Sequence, residues 1–125
     1  MDTNKKILIV DDFATMRKLL MGMLTKLGFT NVTEAESAPK AWELLHNEHF
    51  DLVISDYNMP GMNGMELLSQ VRKDSALSKL PFILLTAEDD ADLVIESKKY
   101  HINAYILKPY KLDVIKEKLQ NVFTA

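Results

Sequence analysis

Two strongly apolar segments of the sequence each end in carboxylates. Residues 7–10 run directly into Asp11 and Asp12, and residues 52–55 run directly into Asp56. If these carboxylates lie within a few ångströms of one another, they resist being ionised together. A hard divalent cation relieves that repulsion, and carboxylates without cysteine or a well-placed histidine suit Mg²⁺, or Mn²⁺, better than Zn²⁺. The pattern therefore predicts a metal site, provided that the fold brings the acids together.

Two further apolar segments end in residues that suit an anionic ligand. Thr86 follows residues 82–85, and Lys108 follows residues 105–107. The negative charge of the acids nearly balances a divalent ion plus one lysine, which leaves room for one anionic group. Phosphoryl transfer depends on positioning and on cationic stabilisation of the phosphoryl oxygens, and a carboxylate can itself be the nucleophile. We therefore expect phosphoryl chemistry, with Thr86 and Lys108 contacting the phosphoryl oxygens.

Each of these residues also has a simpler interpretation. Asp12 and Thr86 could cap the helices that follow them. Lys108 and Pro109 could form an ordinary turn at the end of a strand. The coincidence of polar residues at the ends of all these segments favours a shared site, whereas no single residue does so alone.

The elements that must position these residues alternate along the chain. Amphipathic spacing predicts helices at 14–27, from Ser37 and Pro39 through Leu45, from Met65 to Val71, at 90–99 and from Leu112 to Val122. Apolar runs predict strands at 6–10, 31–35, 51–55, 82–85 and 105–107, of which 31–35 is polar enough for an edge. Strict alternation of strand and helix indicates an α/β fold with a parallel sheet and helices on both faces. Ligands of such sheets bind beyond the carboxyl ends of the strands.

The composition limits the class of protein. A chain of 125 residues is long enough for one domain, and its net charge of −3 provides no general attraction for nucleic acid. Cysteine is absent, which excludes disulfides and thiolate chemistry. The polar N-terminus lacks the apolar core of a signal peptide, and no apolar run approaches the length of a membrane span. We therefore expect a cytoplasmic protein that binds neither nucleic acid nor membrane.

The full set of segments resembles the receiver domains of bacterial two-component response regulators, and in particular the chemotaxis (CheY) subgroup. The matching segments are ILIVDD at 7–12, DDFATMRKLL at 11–20, VISDYNMPGMNGMELL at 53–68, LLTA at 84–87 and YILKP at 105–109. The resemblance implies a flavodoxin-like three-layer α/β/α sandwich whose five parallel strands have the order 2-1-3-4-5 and are accompanied by five helices. It also implies a monomeric receiver domain over residues 1–125 with no output domain.

The resemblance assigns the input chemistry to particular residues. Asp56 would be the phosphoacceptor, supplied by a histidine kinase of the chemotaxis type. Asp11, Asp12 and Asp56 would bind Mg²⁺, and Asn58 would add its backbone carbonyl. The protein would then be a signalling switch that catalyses only its own phosphorylation and slow dephosphorylation.

The resemblance also assigns residues to the response. Thr86 and Lys108 would contact the phosphoryl group, and Tyr105 would turn inward when Thr86 is drawn to the phosphate. A plain core aromatic is the alternative interpretation of Tyr105. Asn58 and Glu88 match positions that tune hydrolysis of the acyl phosphate. In the family, a cis peptide joins the lysine and proline that correspond to Lys108 and Pro109.

The output is less well defined by the sequence. Motor-binding CheY proteins offer lysines at the start of the fourth helix, whereas residues 88–92 here read Glu-Asp-Asp-Ala-Asp. Acids reverse the sign of any interfacial pairing, although they also stabilise a helix N-terminus without any partner. A flagellar switch protein or a phosphatase is therefore one expected partner. A phosphate sink, or a regulator of a target other than the motor, is the alternative.

Two other function classes fit the residues less well. A phosphatase of the haloacid dehalogenase type would need a second aspartate two residues after Asp56, where Asn58 stands. A flavin-binding protein would need a phosphate-cradling loop after the first strand, where Asp11 and Asp12 would repel phosphate.

Overall fold

The computed structural model describes residues 1–124, so Ala125, the last residue of the predicted domain, lies outside the described part. Strands and helices alternate strictly within that range, as the sequence predicts. The strands are β1 (Ile7–Val10), β2 (Val32–Ala35), β3 (Leu52–Asp56), β4 (Phe82–Thr86) and β5 (Ala104–Leu107). The helices are α1 (Ala14–Lys26), α2 (Ala38–Asn47), α3 (Gly64–Lys73), α4 (Ala91–Lys99) and α5 (Leu112–Thr124).

The strands form one parallel sheet in the order β2-β1-β3-β4-β5. This order, the α/β class and the five helices confirm the predicted architecture. The polar strand β2 lies at one edge, as expected, and β5 lies at the other. Every residue of β1, β3 and β4 is buried, because helices cover both faces of these strands.

The two faces of the sheet carry separate cores. Successive strand residues point to opposite faces, so Leu8 and Val10 pack with α2 and α3, whereas Ile7 and Ile9 pack with α1 and α5. Leu93 of α4 joins the first of these cores. Among residues 1–124, none of the helices combines the length and apolar character that crossing a membrane would require.

The strands that carry two of the predicted site residues include those residues. We predicted β3 at 51–55, but it is shifted by one residue and includes Asp56, and β4 ends at Thr86. The ladder continues because Asp56 pairs with Leu85 and Thr86 pairs with Leu107. Both polar side chains therefore project from the rigid sheet, and the pleat sets their direction.

The helix boundaries follow local signals in the sequence. Ser37 caps α2 by accepting a hydrogen bond from the Lys40 amide, and Pro39 stands in the first turn. Gly28 adopts φ +97° just after α1, a left-handed conformation that favours glycine and ends the helix. These signals set where the helices begin and end so that the chain returns to the sheet, and all strands have their carboxyl ends on the same side.

Candidate functional site

The acids predicted to converge do meet at the carboxyl edge of the sheet. β1 and β3 are neighbours, and Val10 lies opposite Ser55, so Asp11 and Asp56 end the two strands side by side. One oxygen from each of Asp11, Asp12 and Asp56 lies within 4.8 Å of the others. The fold therefore assembles the carboxylates that the sequence placed at separate strand ends.

Burial and mutual repulsion make this cluster costly to ionise. Asp56 is 4% exposed; burial raises the pKa of its carboxyl, opposed by Lys108 and reinforced by the nearby charge of Asp12. Burial likewise raises the pKa of Asp11, although the Phe13 amide donates a hydrogen bond to its Oδ1 at 2.9 Å. The charge of Asp56 raises the Asp11 pKa further. A cation at this point would remove much of that cost.

Asp12 has the features of a metal ligand and lacks those of a helix cap. Phe13 is the N-cap residue of α1 and makes no side-chain capping bond, so the capping interpretation of Asp12 is wrong. Its Oδ1 atom is buried and has no hydrogen-bond partner among the described residues. Mg²⁺ prefers oxygen ligands, takes only one or two carboxylates directly in many sites, and usually retains several waters. The acid cluster therefore fits Mg²⁺, with water completing the shell.

Asn58, the further ligand that the resemblance implies, follows Asp56 closely in the chain. It stands two residues beyond Asp56 at the exposed start of the β3–α3 loop. The Tyr57 amide before it donates to the Leu85 carbonyl at 2.8 Å, which carries the ladder one step past the end of β3. The main chain that leads to the Asn58 carbonyl is therefore held by the sheet.

Lys108 contacts the buried acid directly. Its Nζ lies 2.6 Å from Asp56 Oδ1, and the lysine side chain remains 22% exposed. The Lys108 amide donates to the Thr86 carbonyl at 2.8 Å, and the Lys108–Pro109 peptide bond is cis, as the resemblance implied. Lys108 therefore reaches from the end of β5 across β4 to the Asp56 carboxylate, where its ammonium group can pair with an anion bound to Asp56.

Glu88 joins the two residues of the predicted switch. Its amide donates to Thr86 Oγ1 at 2.9 Å, and its carbonyl accepts from the Tyr105 hydroxyl at 2.8 Å. Burial raises the pKa of Tyr105, opposed by the Thr86 hydroxyl and reinforced by the charges of Asp90 and Glu88. Thr86 does not cap α4, whose N-cap is Asp90. Through its hydroxyl, Tyr105 connects β5 to the β4–α4 loop.

The structure adds one residue that the sequence reasoning missed. Burial, together with the charges of Asp11 and Asp56, raises the pKa of Tyr110 to about 12. Tyr110 shares with Met16, Leu19, Lys108 and two neighbours an apolar cavity of about 320 Å³ beside the acid cluster. Its position two residues after Lys108 was a usable signal, because residues just beyond a strand end also face the site.

Comparison with known proteins agrees with this geometry. The family model described as the response regulator receiver domain matches residues 7–120. The chain is 46% identical over 118 residues to the chemotaxis protein CheY of Pseudomonas aeruginosa, covering 94% of this chain and 95% of that protein. It is 43% identical over 123 residues to chemotaxis protein CheY-3 of Vibrio cholerae, covering 98% and 95% of the two chains.

Solved structures share the whole fold. The structure of CheY4 from Vibrio cholerae superposes with a TM-score of 0.87 at 30% identity, covering 95% of this chain and 98% of that one. The structure of a putative response regulator from Chloroflexus aurantiacus gives a TM-score of 0.90 at 28% identity, covering 98% and 99% of the two chains. With the acid cluster and the lysine at the ends of its strands, this chain belongs to the response regulator receiver domain family.

Proposed function

We propose that this protein is a chemotaxis-type response regulator that accepts a phosphoryl group on Asp56 from a histidine kinase in the cytoplasm. The observation that supports this role best is the surroundings of the Asp56 carboxylate. It lies 2.6 Å from Lys108 Nζ and within 4.8 Å of the nearest oxygens of Asp11 and Asp12. A buried carboxylate close to a cation and to an acid pair that could hold a metal suits phosphoryl transfer.

The proposed transfer uses the chain's own groups in defined roles. An Asp56 carboxylate oxygen attacks the phosphorus of the kinase phosphohistidine, the N–P bond breaks, and the imidazole leaves with the bonding electron pair. Asp11, Asp12, Asp56 and the Asn58 carbonyl would hold Mg²⁺, which when bound supplies positive charge to the phosphoryl oxygens. Lys108 then exchanges its contact with the Asp56 carboxylate for one with a phosphoryl oxygen.

The response would pass through the hydrogen bonds of Glu88. Thr86 is 1% exposed and its hydroxyl holds the Glu88 amide, so a Thr86 drawn toward a phosphoryl group would pull on this segment. The Glu88 carbonyl holds the Tyr105 hydroxyl, so the pull would reach β5. Glu88 and Asn58 are exposed next to the site, where their side chains could reach the water that hydrolyses the acyl phosphate.

The partners follow from the relatives and from the surface. The relatives in Pseudomonas aeruginosa and Vibrio cholerae are named chemotaxis proteins, which supports a chemotaxis kinase upstream and a flagellar switch protein or phosphatase downstream. Residues 88–92 are all exposed, and all of them except Ala91 are acids. The alternative of a phosphate sink, or of a target other than the motor, depends on these acids alone and is not favoured.

Phosphorylation of the isolated protein tests the proposal. Incubation with acetyl phosphate and Mg²⁺, followed by intact mass spectrometry, should add the mass of one phosphoryl group to the wild type and none to Asp56→Asn. Omission of Mg²⁺ should suppress the labelling. An unlabelled wild type, or equal labelling of the Asn variant, would show that Asp56 is not the phosphoacceptor.

The output needs a separate measurement. Binding of the phosphorylated protein to a flagellar switch protein should exceed binding of the unphosphorylated protein. Equal or absent binding, with phosphotransfer from the kinase intact, would instead support the phosphate sink.

A further inference from the structure

The first residue of α3 approaches the phosphoacceptor strand too closely to carry a side chain. A Cβ atom built on Gly64 would overlap the main-chain oxygen of Asp56, lying 3.1 Å from its carbonyl carbon and 2.8 Å from Leu84 Cδ1. Real Cβ atoms essentially never approach other atoms this closely. The other helical glycine, Gly22 of α1, differs sharply, because a Cβ there would meet no atom within 4 Å.

This close approach closes the loop that follows Asp56. The Gly64 amide donates to the Tyr57 carbonyl at 2.9 Å, and the Tyr57 amide donates to the Leu85 carbonyl at 2.8 Å. The loop therefore leaves the sheet at Tyr57, and Gly64 brings it back to the same residue. Asn58, whose carbonyl is the proposed fourth protein ligand of Mg²⁺, is the first residue of this closed loop.

A capping box fixes the return end of the loop. Asn63 Oδ1 accepts from the Glu66 amide at 2.9 Å, and Glu66 Oε1 accepts from the Asn63 amide at 3.0 Å. Both ends of the segment 58–63 are therefore tied to rigid elements, one to β3 and the other to α3.

The atoms that a side chain at residue 64 would meet belong to buried strands and cannot move away without disturbing the sheet. The Asp56 carbonyl belongs to a buried strand and also accepts a hydrogen bond from Ser55 Oγ at 2.9 Å. Leu84 lies in the adjacent strand β4 and is 0% exposed. A methyl group at residue 64 would therefore push the start of α3, and the loop tied to it, away from the sheet.

We propose that Gly64 is a positioning residue for the metal and phosphoryl site, acting through the main chain of Asp56 and Tyr57. Its missing side chain lets α3 close the loop at the position that aims the Asn58 carbonyl at the acid cluster. This inference rests on the proposed function, because it assumes that Mg²⁺ binds there. Metal sites tolerate only about 0.2 Å of error in ligand distance, so a small shift of the loop is enough to weaken binding.

Magnesium titration of the folded protein tests this role without requiring phosphorylation. The titration follows the backbone amide signals of Tyr57 and Asn58 by two-dimensional NMR. In Gly64→Ala the dissociation constant for Mg²⁺ should rise about tenfold or more. Substitutions of residues that orient the ligands of a metal typically have effects of this size. The rate of labelling by acetyl phosphate at a fixed, subsaturating Mg²⁺ concentration should fall in parallel.

Two matched variants separate positioning from loss of stability. Val71→Ala removes buried volume at the other end of α3, where the side chain is 0% exposed, without touching the loop. Gly22→Ala adds the same methyl group in the middle of another helix. Both should bind Mg²⁺ as the wild type does. Wild-type affinity in Gly64→Ala, or an equal loss in Val71→Ala, would overturn the positioning role.

The remaining outcomes are also decisive. If Gly64→Ala does not fold, Asn63→Ala takes its place, because it loosens the same loop without a steric conflict. Weaker Mg²⁺ binding in that variant supports the proposal, and unchanged binding overturns it. A wild type that binds no Mg²⁺ overturns both this inference and the proposed metal site, whereas normal binding in the wild type and in Gly64→Ala overturns this inference alone.

Discussion

Replacing Asp12 by asparagine should change the stability of this protein in opposite directions with and without magnesium. The side chain keeps its shape but loses its charge next to Asp11 and Asp56. Without a metal, the change removes repulsion among carboxylates whose nearest oxygens lie within 4.8 Å. With a metal, it removes a ligand whose Oδ1 is otherwise buried and unpartnered within the described residues.

The structure sets the size of the first effect. Two unit charges 4.8 Å apart repel by about 3.5 kcal/mol at an effective dielectric constant of about 20. Asp12 is half-buried, so water and salt screen part of this energy, and the loss of attraction to Lys108 offsets more. We therefore expect Asp12→Asn to raise the free energy of unfolding by about 1 kcal/mol. For a domain of 125 residues this corresponds to about 4 °C in Tm.

Magnesium should make the wild type more stable than the Asp12→Asn variant. A ligand present at ten times its Kd stabilises the folded state by about 1.4 kcal/mol. The wild type should gain this amount, whereas the asparagine variant should gain much less. Thermal unfolding followed by circular dichroism, in EDTA and then in increasing Mg²⁺, measures both effects on the same samples.

One result would refute this reasoning directly. If Asp12→Asn lowers Tm in EDTA, the carboxylates are not in electrostatic conflict and the metal is not needed to relieve them. Glu96→Gln serves as the control, because it removes one charge from an exposed position on α4. It should change stability by less than about 0.5 kcal/mol in either condition.

Three other substitutions test the scaffold. Arg72→Lys keeps the charge but cannot span the main-chain carbonyls that the guanidinium holds, so urea unfolding should show a loss of about 2 kcal/mol. The Trp42 carbonyl and the Asp74 carboxylate raise the pKa of His46 in the folded protein. The protonated His46 side chain therefore stabilises the fold fully below its unfolded pKa of about 6.5, and this stabilisation is lost as pH rises through the folded pKa. The stability difference between wild type and His46→Gln should therefore shrink from about pH 6 to pH 8 in urea titrations. Gly22→Ala should raise Tm by about 4 °C in a calorimetric scan, since helix propensity improves by about 1 kcal/mol.

The convergence of the site could be predicted because it depends on topology. In a parallel sheet every strand ends at the same edge, so the residues at the carboxyl ends of β1, β3, β4 and β5 must meet there. The types of those residues then limited the chemistry to a metal and a phosphoryl group. The order of the strands, in contrast, came from the family resemblance, because alternation alone permits several orders.

Other features depend on tertiary contacts that no local pattern shows. Gly64 reads in sequence as one more turn residue before a helix, and only the fold places it against Asp56. Leu19 fits the apolar spacing of α1 but is 52% exposed, because the stripe is wider than the face that packs on the sheet.

The way α4 is attached explains how a signal at Asp56 could reach a partner. The C-terminal end of α4 is held by Arg72, which donates to the carbonyls of Tyr100 and His101, and by Ser97, its buried residue. The N-terminal end is exposed and follows directly from the Glu88 segment that Thr86 and Tyr105 hold. A change at the phosphoacceptor edge therefore acts on the end of α4 that is less firmly anchored. The acids at residues 88–92 lie at that same end, so a partner that binds there would meet their charge.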